Sequence, residues 1–220
     1  MKILLIGPPG VGKGTQSELI CSFYKLNHIS TGNILRKHID EQTELGKFIS
    51  SFKIHEGNFV PDDLINNLIK DMKHDGLLEN SYLLDGYPRT IDQSVFYVNN
   101  IISNLNECIA IYLDADRDYI INRIMKRRIC NKCGRIYNLS QYNHKFSDNV
   151  CSKCGGKLIQ RLDDNIDVFK NRLEIYDKTT KDVVRYFKEL KVLFEVNALG
   201  EIKDVFNRIK NVIGEYYDSY

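Results

Sequence analysis

The chain has 220 residues, 43% of them hydrophobic and 27% charged, with a formal net charge of +2. Those values fit a soluble globular protein with one good apolar core, and the near-neutral charge excludes a nucleic-acid footprint over the whole molecule. No apolar run approaches the ~20 residues of a membrane-spanning helix, and the four apolar residues Ile3 to Ile6 are too few for a secretory leader. A cytoplasmic protein is expected.

The run Ile3-Leu4-Leu5-Ile6 predicts a short buried strand. It leads directly into Gly7-Pro8-Pro9-Gly10-Val11-Gly12-Lys13-Gly14-Thr15, and helical spacing follows from Thr15 to Tyr24. Strand, glycine-rich turn and helix in that order make a phosphate cradle. The glycines let successive N–H groups point inward, the helix N-terminus adds its positive end, and Lys13 adds a point charge. The hydroxyl stands one position later than usual, at Thr15 after Gly14.

A strand is expected at Asn27 to Ile29, and Pro61-Asp62-Asp63 reads as a helix start with its acids at the favourable end of the dipole. Further strands are predicted at Tyr82 to Leu84, Ile109 to Leu113 and Val192 to Val196. Helical spacing occupies Leu64 to Met72, Ile91 to Leu105, Arg117 to Arg128, Asp164 to Leu190 and Glu201 to Tyr217, the last interrupted by Gly214. Strands alternating with helices argue for a parallel sheet covered on both faces. Cys21 and Cys108 fall in these patterns as small buried hydrophobes.

Between Ile129 and Leu158 the alternation stops. Cys130-x2-Cys133 and Cys151-x2-Cys154 stand 17 residues apart, within the range of a four-thiolate zinc site. A closed set of four thiolates leaves no open position, so such a metal is structural. Another thiophilic metal or a pair of disulfides are the alternatives. From Lys126 to Arg161 there are nine basic residues and one acid, so this module is a basic flap on a slightly acidic body. Such a flap suits either phosphates already seated on the glycine loop or a nucleic acid.

Two more motifs narrow the reading: Ser30-Thr31-Gly32-Asn33-Ile34-Leu35-Arg36, and Leu84-Asp85-Gly86-Tyr87-Pro88-Arg89-Thr90 with Gln93 beyond. With the phosphate loop and the cysteine flap, they closely resemble adenylate kinases of the long-lid, zinc-containing type, over Lys2 to about Lys210. The resemblance implies an α/β fold of the P-loop NTPase type, a five-stranded parallel sheet flanked by helices. It further implies a core of residues 1–29, 61–125 and 165–220, an AMP-binding arm at 30–60 and a zinc-binding lid at 126–164. The implied reaction is phosphoryl transfer from Mg-ATP to AMP, giving two ADP, by a monomer that needs neither nucleic acid nor membrane.

Carried over residue by residue, the resemblance places Gly10, Val11, Gly12, Lys13, Gly14 and Thr15 around the ATP phosphates. Arg123 flanks the ATP base and phosphates, Arg127, Ile136 and Tyr137 meet ATP from the lid, and Gly200 offers backbone to the donor adenine. On the AMP side stand Thr31, Arg36, Asn58, Phe59, Val60, Gly86, Tyr87, Pro88, Arg89 and Gln93. Arg161 and Arg172 bridge the phosphates of both nucleotides, and Asp85 organises Mg2+ through water. Read as one helix, 117–128 puts Arg123 and Arg127 on a single face. Asp163 and Asp164 orient Arg161 or form part of the lid hinge. Asn33 departs from the family's usual aspartate, and Tyr87 replaces a common phenylalanine.

Overall fold

The computed structural model describes residues 1–52, 60–139, 149–161 and 164–218. Five parallel strands form its main sheet: β1 (Lys2–Ile6), β2 (Asn27–Ser30), β3 (Tyr82–Asp85), β4 (Cys108–Asp114) and, later in the chain, β8 (Leu193–Asn197). Their spatial order is β2-β3-β1-β4-β8. Ile3 to Ile6 are at most 3% exposed. A strand apolar on both faces is what a parallel sheet between two helical layers demands.

The pleat divides those residues between two cores. Leu4 and Ile6 join Leu84 and Ala110 on one face, under the helices α2 (Thr31–Asp40), α4 (Asp62–His74) and α5 (Ile91–Phe96). Ile3 and Leu5 join Leu83, Ile109 and Ile111 on the other, under α1 (Lys13–Tyr24), α6 (Arg117–Met125) and α8 (Ile202–Asp218). The short α3 (Glu44–Ser50) packs on α2. The 24-residue α7 (Ile166–Glu189) serves both cores, through Phe169 and Leu173 in one and Val183 and Phe187 in the other.

Adjacent β1 and β3 are followed by helices on opposite faces of the sheet. Their carboxyl ends therefore border the crevice in which ligands of open α/β sheets bind. The register sets Leu5 beside Asp85 and Ser30 beside Asp85, so the glycine loop, the start of α2 and the end of β3 converge there.

Between α6 and α7 lies a second, antiparallel sheet of order β6-β5-β7, made of β5 (Arg127–Cys130), β6 (Ile136–Asn138) and β7 (Leu158–Ile159). This corrects the expected helix over Arg117 to Arg128. The helix stops at Met125 because the next residues pair across the small sheet, Arg127 with Asn138 and Ile129 with Ile136. Arg123 and Arg127 thus lie on a helix and a strand rather than on one helical face.

Two smaller differences have local causes. The helix after Thr90 widens into a π turn at Tyr97–Ile101 and ends there, short of Leu105. Tyr97 is turned into the core, where its hydroxyl lies 2.8 Å from that of Tyr82. Helix α8 runs unbroken through Gly214, with nothing within 4 Å of where its Cβ would sit. A single helical glycine costs only about 1 kcal/mol, less than the packing of this strongly amphipathic helix supplies. Cys108 is buried as expected, while Cys21 is only half-buried.

Candidate active site

Helix α1 begins at Lys13, with Gly12 as its N-cap, has no side-chain cap and carries no acid in its first turn. Its N–H groups and positive end are thus left to an external anion. The glycines are demanded by geometry. Gly10 has φ +84° and a Cβ there would lie 2.6 Å from Ile124; Gly12 has φ +117° and would meet the Arg123 guanidinium at 3.2 Å. At Gly14 a Cβ would come within 3.3 Å of the tip of the Ile136 side chain on the lid, a tight approach.

Lys13 Nζ donates to the carbonyls of Gly7 at 2.6 Å and Pro8 at 2.9 Å. Burial lowers its pKa to about 8; nearby Asp85 opposes that shift, and Arg89, Arg172 and Arg127 add to it. His28 Nε2 stands 4.0 Å from the Asp85 carboxylate.

Around this loop one cavity of about 1330 Å³ is lined by Gly10, Gly12, Lys13, Gly14 and Thr15 from the cradle. Asp85, Gly86, Pro88 and Arg89 line it from β3 and the following turn, and Arg36 from α2. Arg123 and Arg127 reach it from α6 and β5, Ile136 and Tyr137 from the lid, and Arg161 and Arg172 from the lid exit and α7. The volume exceeds the ~300–1,000 Å³ usual for one small ligand.

Several expected contact residues lie behind this wall. Thr31 is 2% exposed and donates to the Gly86 carbonyl at 2.9 Å. Gln93 is 3% exposed; its Oε1 accepts from Arg89 N at 2.8 Å and its Nε2 donates to Asp62 at 2.7 Å. Tyr87, Val60 and Val11 are likewise buried, and Gly200 sits at an exposed turn. Asn58, Phe59 and Asp163 fall outside the described residues.

The layer behind the wall aims the layer in front. Arg89 Nε donates to Gly86 O at 2.7 Å, and Thr180 of α7 donates to Arg89 O at 3.4 Å. Burial lowers the Arg89 pKa against the pull of Asp85, yet a guanidinium remains charged. Arg36 donates to Asn33 Oδ1 at 2.5 Å, so the asparagine still supplies the oxygen that an aspartate would. Sequence reasoning passed over Arg135, Tyr176 and Thr180, which also line the cavity. Only the basic character of the lid pointed to Arg135, and nothing local marked the other two.

Arg127 forms a two-pronged ion pair with the fully buried Asp164, Nε to Oδ2 at 2.9 Å. The pair joins the two necks of the lid, where the chain enters β5 and where it leaves toward α7. The Asp164 side chain therefore holds Arg127, while its N–H donates to Arg161 O at 3.1 Å.

The four lid sulfurs of Cys130, Cys133, Cys151 and Cys154 lie within 4.8 Å of one another. Cys130 and Cys154 are 3.4 Å apart, Cys133 and Cys151 3.7 Å. Four thiolates at ~2.3 Å from a tetrahedral Zn2+ have edges near 3.8 Å, so the cluster fits that ion. The N–H groups of Lys132 and Cys133 point at Cys130 Sγ, both at 3.4 Å. Tyr137 is turned the same way, with its hydroxyl 3.1 Å from Cys151 Sγ and accepting from Ser152 N at 3.1 Å. Burial opposes ionisation of Cys151, but bonds from Tyr137 and from the Lys153 and Cys154 N–H groups outweigh it and bring the thiol down to about 6.

A lysine-bearing phosphate cradle faces arginines from six other segments across a space large enough for two nucleotides. That arrangement defines the class, P-loop phosphotransferases acting on nucleotides. A family model described as adenylate kinase matches residues 5–192. The chain is 40% identical to an adenylate kinase of Clostridium acetobutylicum over 217 residues, covering 98% of this chain and 100% of the relative. It is 39% identical to one from Clostridium tetani, covering 97% and 99%. The chain belongs to the adenylate kinase family, and its cysteine cluster fits the zinc-lid type within it.

Proposed function

We propose that this chain transfers the terminal phosphoryl group of Mg-ATP to AMP, giving two ADP, as a cytoplasmic monomer with no nucleic-acid partner. The observation that carries the reading is the single cavity shared by Lys13, Arg36, Arg89, Arg123, Arg127, Arg161 and Arg172. A phosphate oxygen of AMP attacks the γ-phosphorus, and the bond from that phosphorus to the β–γ bridging oxygen breaks. The nucleophile is already anionic, so no general base is needed. Catalysis rests on alignment and on charge spread over the moving group, which the arginines and Lys13 would neutralise.

Gly10 to Thr15 would seat the donor phosphates, with Val11 supporting the loop from beneath. Arg36 and Arg89 would hold the acceptor phosphate, and Arg161 and Arg172 would bridge the two. Thr31 and Gln93 then act by aiming Gly86 and Arg89, with adenine contacts added when the site is filled. Asp85 and Thr15, both on the cavity wall, would hold Mg2+ largely through water, and that ion would supply charge neutralisation at the phosphates. The four cysteines would hold a structural Zn2+. The arm at 30–60 and the lid at 126–164 would close over the substrates and exclude water, which would otherwise take the phosphoryl group. No helix among the described residues is long and apolar enough to cross a membrane.

A coupled assay of the purified chain with Mg-ATP and each of AMP, GMP, CMP and UMP tests this reading. ADP formation with AMP alone is expected. Preference for another monophosphate would move the chain to a sister kinase, and silence with all four would overturn the enzyme reading.

A further inference from the structure

Donor adenine is expected beside Arg123 and the turn after β8, yet neither the glycine loop nor the lid explains what holds those two features in place. The turn is tied down from α8. Arg208 Nη1 donates to Asn197 O and to Leu199 O, both at 2.7 Å. Its other side is anchored to β4, where Ala198 N donates to Asp114 O at 2.7 Å. Gly200 stands at the tip with φ +103°.

Tyr119 connects that tip to Arg123. Its hydroxyl donates to Gly200 O at 3.4 Å and accepts from Arg123 Nη1 at 3.4 Å. The Arg123 guanidinium also lies 5.5 Å from the Tyr119 ring centroid and donates to Val11 O at 3.4 Å. A tyrosine hydroxyl has one proton to give and lone pairs to receive, so each bond uses a different capacity. The carbonyl of Gly200 keeps a second lone pair for another donor.

We propose that Tyr119 and Arg208 are positioning residues for the donor base, fixing the Gly200 carbonyl and the Arg123 guanidinium plane at a set distance from each other. The inference rests on the adenylate kinase reading and adds to it a source of donor selectivity. A carbonyl held in one orientation accepts from an exocyclic amine, as adenine carries at C6. It meets the 6-oxo group of guanine acceptor to acceptor. Without the tether the carbonyl can turn away, and that discrimination weakens.

The test is steady-state kinetics of Tyr119→Phe and Arg208→Gln with AMP as acceptor and either ATP or GTP as donor. Tyr119→Phe should raise KM for ATP about fivefold, the effect of one neutral hydrogen bond, with kcat and KM for AMP within twofold. The ratio of kcat/KM for ATP over GTP should fall by a similar factor, and Arg208→Gln should shift both quantities the same way. A merely structural role would raise both KM values together or lower kcat. That result, or an unchanged KM for ATP in Tyr119→Phe, overturns the inference. Should Arg208→Gln fail to fold, Tyr119→Phe decides alone. Wild-type protein that forms no ADP from ATP and AMP would overturn the kinase reading itself, and the inference would fall with it.

Discussion

The two sheets are held together by opposite means. The parallel sheet lies between two extensive apolar layers, and its central strand β1 is almost entirely sealed from water. Among the described residues the lid sheet rests on four buried ones, Cys130, Tyr137, Cys151 and Leu158, of which two are thiols. Burial at roughly 25 cal/mol per Å² orders the first easily. It cannot order the second, whose strands are two to four residues long. A metal held by the four clustered thiols would supply what burial does not. On the proposed reading, chemistry and stability are separated in space: the cradle stands on a rigid floor, and the small sheet would be fastened by one ion held by its four cysteines.

The largest effect that tests this separation belongs to the floor. Lys13→Ala should lower kcat/KM by about 10²–10³-fold, the size usual for a lost charge-stabilising donor, while the melting temperature moves by only a degree or two. A comparable loss of fold in that variant would break the distinction. For the lid the balance should reverse. Stripping the metal with a chelator should lower the melting temperature by about 10 °C, several kcal/mol for a chain this size, with initial rates at low temperature within about twofold. Equal losses of stability and low-temperature activity would show that the ion serves the chemistry.

A pH series probes the floor more finely. Lys13 has its pKa brought down to about 8 by burial in the nucleotide-free protein, and donor phosphates favour its charged form. Below pH 8 the lysine is protonated and ready; above it, binding must first recruit a proton. The association constant for ATP, measured by calorimetry, should therefore fall by up to tenfold per unit above about pH 8. It should be level between pH 7 and 7.5, and proton uptake on binding should appear over the falling range. The smallest effect concerns Tyr87, whose hydroxyl reaches Asn66 Oδ1 at 2.9 Å and Gln93 O at 3.1 Å in the buried layer. Tyr87→Phe should lower the melting temperature by about 2–4 °C and leave KM for AMP within twofold.

What could be read without coordinates was what lies close together along the chain. The glycine loop announces itself because its cradle is built from consecutive residues, and the cysteine pairs because each C-x2-C closes a local turn. The end of α6 was misread because Ile120, Ile124 and the arginines beyond keep helical spacing, while pairing with β6 claims Arg127 for a strand. That competition is tertiary. The linkage from Tyr119 to Gly200 spans 81 positions, and that from Gln93 to Asp62 spans 31. No local pattern marks either, so linkages between distant segments stay hidden where motifs of consecutive residues do not.

Helix α7 carries Arg172 and Thr180 on one unbroken rod, with the lid exit at its head and Arg89 O bonded to Thr180 farther along. At 1.5 Å per residue, those two positions are about 12 Å apart along the axis. Both ends of the rod are seated in the core, so that interval is fixed. The helix is a ruler: it sets the interval between Arg172 and the point that holds Arg89 before any ligand arrives.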